Sequence, residues 1–208
     1  MLLKRNPFIH SAVTARTQIV REVGGYRSAF DLAEDYDLWL RIAEVAQLAN
    51  IPEVLVSYRV HDGSGHRHPL RQAFSARLAR RAAVERRATG VDPASSLSAA
   101  PDWRDVDPGA FYAEDAALYR WLEGGPASAD ATGGLARLSR LLDEAPGLSH
   151  TERRLAAMAV WSRMCGPDPK EAAIARRLLL RLCQSRPTAV LRAAWSLRDQ
   201  GPRHRAIA

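Results

Sequence analysis

The chain has 208 residues, of which 47% are hydrophobic and 25% charged, so one ordinary domain or two small ones with a buried core can form. This composition excludes a wholly disordered chain, and two cysteines exclude a disulfide-dense scaffold and an all-cysteine zinc site. The net charge of +7 falls entirely on residues 71–208, where the basic side chains are almost all arginine and are interleaved with acids.

Apolar runs and cysteine content bear on where the protein resides. No run of uncharged apolar residues is long enough to span a membrane, and residues 1–7 lack the pattern of a secretory signal. The two cysteines fit a reducing compartment. We therefore expect a cytoplasmic protein, either free or peripheral to the inner face of the membrane.

Residues 1–68 mix short apolar runs with turn signals, which predicts an α/β front segment. Gly24 and Gly25 are expected to end a short helix, because glycine readily adopts the left-handed conformation of a helix C-terminus. The elements predicted here are strands over residues 8–15 and 54–60, a short helix over 17–23 and a longer helix over 34–46.

Residues 69–208 have the apolar spacing of helices and the prolines that separate them, which predicts an all-α region. Residues 90–109 hold glycine, proline, serine and aspartate without periodicity, so we expect a linker there. The predicted helices cover residues 70–87, 111–122, 133–144, 150–164, 169–185 and 188–198.

Three acids, Glu34, Asp35 and Asp37, lie within four positions at the predicted start of the 34–46 helix. One acid in a first turn is explained by the helix dipole, but three are explained poorly because like charges repel. Gly24 and Gly25, ten residues earlier, permit positive φ angles and the close approach of a ligand. A carboxylate beside such a loop could act as a base towards a hydroxyl.

Arg59 and His61 leave the end of the second predicted strand. An arginine and a histidine in that position suit a phosphate or a metal ion. A single histidine is also typical of an ordinary surface or core position, so the residues alone leave both interpretations open.

Four pieces of the front segment occur in a defined order. They are Asn6-Pro7 with His10, Val23-Gly24-Gly25-Tyr26, Glu34-Asp35-Tyr36-Asp37-Leu38-Trp39-Leu40-Arg41, and a predicted strand that ends Tyr58-Arg59-Val60-His61. Together they resemble the acceptor half of a family 2 glycosyltransferase with the GT-A fold. The resemblance spans residues 6–64, under a third of the chain.

The resemblance implies transfer of a sugar from a nucleotide-diphosphate sugar to an acceptor hydroxyl, with inversion, in the synthesis of bacterial cell-surface polysaccharide or glycoconjugate. It implies that Asp35 is the general base and that Glu34 binds the acceptor. The donor-binding roles fall on Gly24, Gly25, Arg59 and His61. His61 would also face a Mg²⁺ or Mn²⁺ ion. The implied partners are the donor, a glycan or lipid-linked acceptor and a membrane surface, with no nucleic acid.

The family's nucleotide-binding half, which ends in an Asp-x-Asp metal motif, has no counterpart in this sequence. Asp35-Tyr36-Asp37 occupies the acidic helix position, and Asp105-Val106-Asp107 lies in the predicted linker, so neither is taken for that motif. A fragment of a longer protein, an inactive remnant and one half of a split enzyme are the competing explanations, and whether this chain alone is an enzyme stays open. Without the other half, we expect unpaired edges and an uncovered apolar face.

A binding module is the alternative from a different class. In that hypothesis the helical region defines the function, and its basic residues bind an anionic membrane or a protein partner. The arginines that motivate it are Arg77, Arg80, Arg81, Arg86 and Arg87. No zinc-finger or RNA-binding signature accompanies them, which argues against nucleic acid as the partner.

Overall fold

The computed structural model describes residues 2–57, 68–124, 131–143 and 147–185. Within these ranges the regular structure is helical. The α-helices are α1 (Thr17–Glu22), α2 (Glu34–Val45), α3 (Pro69–Thr89), α4 (Ala113–Gly124), α5 (Ala131–Asp143), α6 (His150–Met164) and α7 (Pro169–Ser185). Single 3-10 turns cover Leu2–Lys4, His10–Ala12 and Ser28–Phe30.

The predicted α/β front segment is wrong, because the described part of the chain contains no strand. Residues 8–15 contain the 3-10 turn His10–Ala12 flanked by irregular backbone, and no strand. Residues 54–57 have no regular structure, and residues 58–60 lie outside the described ranges. The physical reason is that β-branched residues form a stable strand only where a neighbouring strand pairs with them.

The helix predictions are confirmed, with ends within two residues of the expected positions; the helix predicted over residues 188–198 lies outside the described ranges. Local signals explain the agreement. Helix α3 starts with Pro69 in its first turn and ends at Gly90, whose φ is 75°. Helix α6 starts with a capping box in which Ser149 and Glu152 each bond to the other's backbone N–H.

Contacts divide the chain into two compact units, Met1–Ala116 and Ala117–Ala208. In the first unit, α2 packs against α1 and α3 and buries Leu38, Trp39 and Ile42. Residues 90–109 are irregular, and within them Trp103 is buried with its ring edge-on to Phe74 at 5.5 Å. The division predicted at residue 68, between a glycosyltransferase-like acceptor half and a helical region, stays a prediction.

The second unit is built on α5, α6 and α7, whose apolar stripes meet. Trp121 is buried there, and the Arg163 guanidinium lies 4.3 Å from its ring centroid. A Cβ atom on Gly134 would lie 2.0 Å from Trp121 Cδ1, so only glycine fits against this ring. The packing explains a glycine within a helix, where it would otherwise be unfavourable.

Candidate functional site

The glycine turn that follows α1 is held by backbone hydrogen bonds. The Gly24 N–H donates to the Arg21 carbonyl at 3.0 Å, and the Gly25 N–H donates to the Val20 carbonyl at 2.9 Å. Both glycines have positive φ angles, 83° and 67°, which a residue with a Cβ adopts at a cost. Apart from the chain neighbours, no atom of the described residues lies within 4 Å of a Cβ built at either position, so backbone conformation, and not space, requires glycine here.

Arg41 fastens this turn to α2. Its guanidinium donates to the carbonyls of Val23 and Gly25, the latter at 2.6 Å. The same side chain donates from Nε and Nη2 to Asp37 Oδ2, at 3.0 and 2.7 Å. The glycine turn and the acidic start of α2, ten residues apart in sequence, are therefore one connected structure.

Asp37 is the structural member of the three acids. It is completely buried, and besides Arg41 it accepts hydrogen bonds from Arg27, whose Nε lies 2.9 Å from Oδ2. Two guanidinium groups thus neutralise one carboxylate in the interior, as a buried charge requires. The i,i+4 spacing of Asp37 and Arg41 can be read from the sequence, whereas the ion pair between Arg27 and Asp37 cannot.

Arg27 extends this network to the segment after α3. Its Nη1 lies 2.7 Å from Asp92 Oδ2, and Arg86 Nη1 lies 3.1 Å from the same oxygen. Burial alone would raise the pKa of Asp92, but the Ala94 backbone N–H and the two arginines outweigh it and lower that pKa. Burial likewise lowers the pKa of Arg27, but its carboxylate partners Asp37 and Asp92 outweigh burial, so the pKa of Arg27 is raised.

Asp35, the predicted base, has a different environment. It is half-buried, Asn6 Nδ2 donates to its Oδ2 at 3.2 Å, and the Tyr36 backbone N–H donates to its Oδ1 at 2.6 Å. No cationic side chain of the described ranges forms an ion pair with it. The carboxylate is oriented by neutral donors at the positive end of α2, and its charge remains available to a ligand.

Glu34, the predicted acceptor residue, is half-buried and lines a shallow concavity beside the glycine turn. Tyr26 lines it as well, and its hydroxyl is 2.8 Å from His10 Nε2. Across the concavity, Arg71 Nη2 lies 2.9 Å from Asp31 Oδ2. Hydroxyl, carboxylate and guanidinium groups on an open surface suit the hydroxyls of a sugar.

Some of these residues were missed by sequence reasoning. Arg71 lies 37 residues from Glu34 in sequence, on a different helix, and no spacing rule connects the two. Asn6 enters the sequence analysis only in the Asn6-Pro7 piece of the resemblance, whereas its contact with Asp35 spans 29 residues. Contacts of this range become visible only when the fold is known.

The other predicted site residues divide into those brought together and those not described. Gly24, Gly25, Glu34 and Asp35 belong to one region, joined through Arg41. Arg59 and His61 lie outside the described ranges, so their predicted donor roles, and that of His61 towards a metal, stay predictions. Elsewhere, the described residues offer no group of three or more His, Cys, Asp or Glu side chains fit to hold a metal ion, and we assign none to them.

The arginines behind the alternative hypothesis are largely engaged within the protein. Arg77 and Arg80 are buried, and Arg77 pairs with the buried Asp115. Arg81 Nε lies 2.9 Å from the same carboxylate, and Arg86 pairs with Glu44 at 3.0 Å. Four of the five are thus part of the structure of α3 and not a free basic surface. In the described ranges, no helix combines the length and the apolar character needed to cross a bilayer.

Comparison with known proteins gives two partial matches. No family model and no solved structure matches the chain. A segment of 61 residues is 43% identical to an uncharacterized glycosyltransferase of Haemophilus influenzae, covering 29% of this chain and 22% of that protein. A segment of 69 residues is 33% identical to the O-antigen biosynthesis glycosyltransferase WbnJ of Escherichia coli, covering 32% and 27%. The matches therefore span about a quarter of the length of each relative, and within them the chain is related to glycosyltransferases.

Proposed function

We propose that this chain forms the acceptor side of a glycosyltransferase that moves a sugar from a nucleotide-diphosphate sugar to an acceptor hydroxyl. The observation that carries the proposal is the match of segments of 61 and 69 residues to two proteins named glycosyltransferases. The glycine turn joined to the acidic start of α2 supports the finer assignment to an inverting enzyme of family 2, GT-A type. The name of the E. coli relative supports a role in cell-surface polysaccharide or glycoconjugate synthesis.

In the proposed reaction, the acceptor oxygen attacks the anomeric carbon of the sugar and its proton passes to the Asp35 carboxylate. The bond from the anomeric carbon to the diphosphate breaks, and the diphosphate leaves with the electron pair on the opposite face, which inverts the configuration. A carboxylate has about four acceptor positions, so the hydrogen bonds from Asn6 and Tyr36 leave room for a hydroxyl.

The remaining roles follow the same proposal. Glu34 binds acceptor hydroxyls from the concavity that it lines, and the glycine turn lets the backbone approach the donor sugar. The donor diphosphate would be bound by residues that include Arg59 and His61. A Mg²⁺ or Mn²⁺ ion at His61 is part of the proposal, and no step is assigned to it. The acceptor would be a glycan or a lipid-linked glycan at the cytoplasmic face of the membrane.

Replacement of one oxygen tests the role of Asp35. Asp35→Asn keeps the shape and the hydrogen bond from Asn6 but removes the basic carboxylate, so we expect sugar transfer to fall by about 100-fold or more. The assay uses the protein as it occurs in its source cells, with a panel of nucleotide-diphosphate sugars and a glycan extract.

Glu22→Gln is the matched control, because Glu22 is an exposed acid at the end of α1, just before the glycine turn. It should leave transfer unchanged, and both variants should keep the helical circular dichroism of the parent. Transfer by the Asp35→Asn variant within a few-fold of the parent would show that Asp35 is not the base.

A further inference from the structure

The concavity beside the glycine turn has one wall that the sequence does not predict. Residues 90–109 have the composition of a linker, yet Ala99 and Ala100 line the concavity. Arg71, near the start of α3, lines it as well. These three residues, which we call the outer wall, lie outside residues 6–64, to which the resemblance to a glycosyltransferase is confined. Because the shared motifs carry the common chemistry, residues outside them can set what this protein in particular binds.

Hydrogen bonds hold the segment that carries the two alanines of the outer wall. Ser28 Oγ donates to the Ser98 carbonyl at 2.9 Å, directly before Ala99. Earlier in the segment, Asp92 is paired with Arg27, and its Oδ1 accepts a hydrogen bond from the backbone N–H two residues later at 2.9 Å. The segment is therefore fixed against the residues that precede α2, as a wall that selects a ligand must be.

The charges that line the concavity favour an uncharged ligand. Two of the lining side chains are carboxylates, Asp31 and Glu34, and two are guanidinium groups, Arg27 and Arg71. Arg27 is already committed to the two carboxylates of its own ion pairs. Arg71 is thus left to balance both Asp31 and Glu34, and a ligand that brought a further carboxylate or a phosphate would be repelled.

The ion pair of Arg71 with Asp31 can bind sugar hydroxyls. The Arg71 side chain is 54% exposed and that of Asp31 46%, and a surface pair of this kind contributes little to stability, so a ligand can displace part of it. The guanidinium then donates to a hydroxyl oxygen and the carboxylate accepts from a hydroxyl. The concavity has a volume of about 510 Å³ and is open to solvent, so the rest of a longer glycan can extend away from it.

We propose that the outer wall determines acceptor specificity: it admits an uncharged, hydroxyl-rich terminal sugar of a glycan and excludes a sugar acid. This step rests on the proposed function. Arg71 binds hydroxyls of that sugar, and the small side chains of Ala99 and Ala100 leave room for its ring. The donor diphosphate fits this concavity less well, because Asp31 and Glu34 would face its charge.

Glycan binding tests the proposal independently of sugar transfer. The full chain is probed with glycans in matched pairs that end either in a neutral hexose or in the corresponding uronic acid. We expect the neutral member of a pair to bind about 10-fold more tightly or better. Ala99→Trp should fill the concavity and weaken this binding by about 10-fold or more. Ser96→Trp is the matched control, because Ser96 is exposed on the same segment and does not line the concavity.

Two further variants test the charged part of the proposal. Arg71→Ala should weaken binding of neutral glycans by about 10-fold, because it removes a charged donor. Its control is Arg87→Ala, since Arg87 is 42% exposed near the other end of the same helix. Asp31→Asn should keep the binding of neutral glycans within a few-fold and reduce the discrimination against the uronic acid. A purely structural role of Asp31 would not change that ratio.

Three outcomes would overturn the proposal: no glycan binding by the parent, equal or tighter binding of the uronic acid, or equal losses in Ala99→Trp and Ser96→Trp. Circular dichroism checks that each variant is folded, and sugar transfer is measured with and without Asp35→Asn. Asp35-dependent transfer with an acceptor KM that Ala99→Trp leaves unchanged would reject the outer wall alone. Binding of neutral glycans that Ala99→Trp weakens, without transfer by the parent, would reject the proposed function alone.

Discussion

At the scale of single residues, three neighbouring acids have three environments. Asp37 is buried between two guanidinium groups, Asp35 stands at the open start of α2, and Glu34 lines the concavity next to it. The sequence predicts an acidic helix start, but it does not distinguish the acids. The contact of Arg27 with Asp37 depends on how the segment between α1 and α2 folds, and no local spacing rule predicts it. The catalytic hypothesis therefore attaches to Asp35 on the basis of its surroundings as well as its position.

The first prediction concerns the buried ion pairs. Asp37→Asn leaves the buried Arg41 without its carboxylate and leaves Arg27 with Asp92 alone, so we expect the free energy of unfolding to fall by about 3–5 kcal/mol. Asp31→Asn is the control, because Asp31 and Arg71 are both about half exposed and the loss should be about 1 kcal/mol or less. Urea denaturation measures both, and equal losses in the two variants would contradict the structural role of Asp37.

The second prediction concerns pH. The pKa of Asp92 is lower in the folded protein than its ordinary value of 3.8, so the unfolded chain binds the proton more readily. The stabilising contribution of Asp92 is complete above 3.8 and is lost as pH falls through the lowered value. Asp92→Asn should therefore destabilise the protein at neutral pH. The difference in the free energy of unfolding between the parent and this variant should shrink as the pH falls below 3.8.

Denaturation at several pH values measures this difference. Glu85→Gln is a suitable control on the last turns of α3, because it changes a carboxylate outside the Arg27 network. A difference in the free energy of unfolding between the parent and Asp92→Asn that grows as the pH falls would contradict the lowered pKa of Asp92.

At the scale of elements, the helices could be predicted and the strands could not. Helix ends depend on local signals, such as Pro69, Gly90 and the capping box at Ser149, and each acts within a few residues. A strand needs a partner from elsewhere, and the apolar pattern of residues 54–57 does not say where that partner is. In the structure, residues 54–57 are exposed and irregular.

The third prediction tests the glycine turn. Gly25→Ala forces a residue with a Cβ into a φ of 67°, so we expect a loss of about 1–2 kcal/mol in the free energy of unfolding. Gly109→Ala is the control: Gly109 is exposed, lacks a positive φ, and an added Cβ would lie no closer than 3.4 Å to Asp107 Oδ1. Chemical denaturation of the two variants compares them, and an unchanged Gly25→Ala protein would contradict the strain.

At the scale of the molecule, the charge of +7 has a structural explanation in part. The arginines of α3 that suggested a binding surface are buried or paired, as Arg77 and Arg81 are with Asp115. Among the described residues of the first unit, a cluster of exposed side chains on the segment after α2 is apolar instead, namely Ile51, Val54, Leu55 and Val56.

Sugar transfer itself is the most direct measurement of the central claim. The protein that carries the Glu34–Arg41 peptide is purified from its source cells and incubated with labelled nucleotide-diphosphate sugars and a glycan extract. The proposed function predicts incorporation of label into an acceptor glycan, with release of the nucleoside diphosphate. A folded protein that gives no incorporation with any donor in the panel would contradict it.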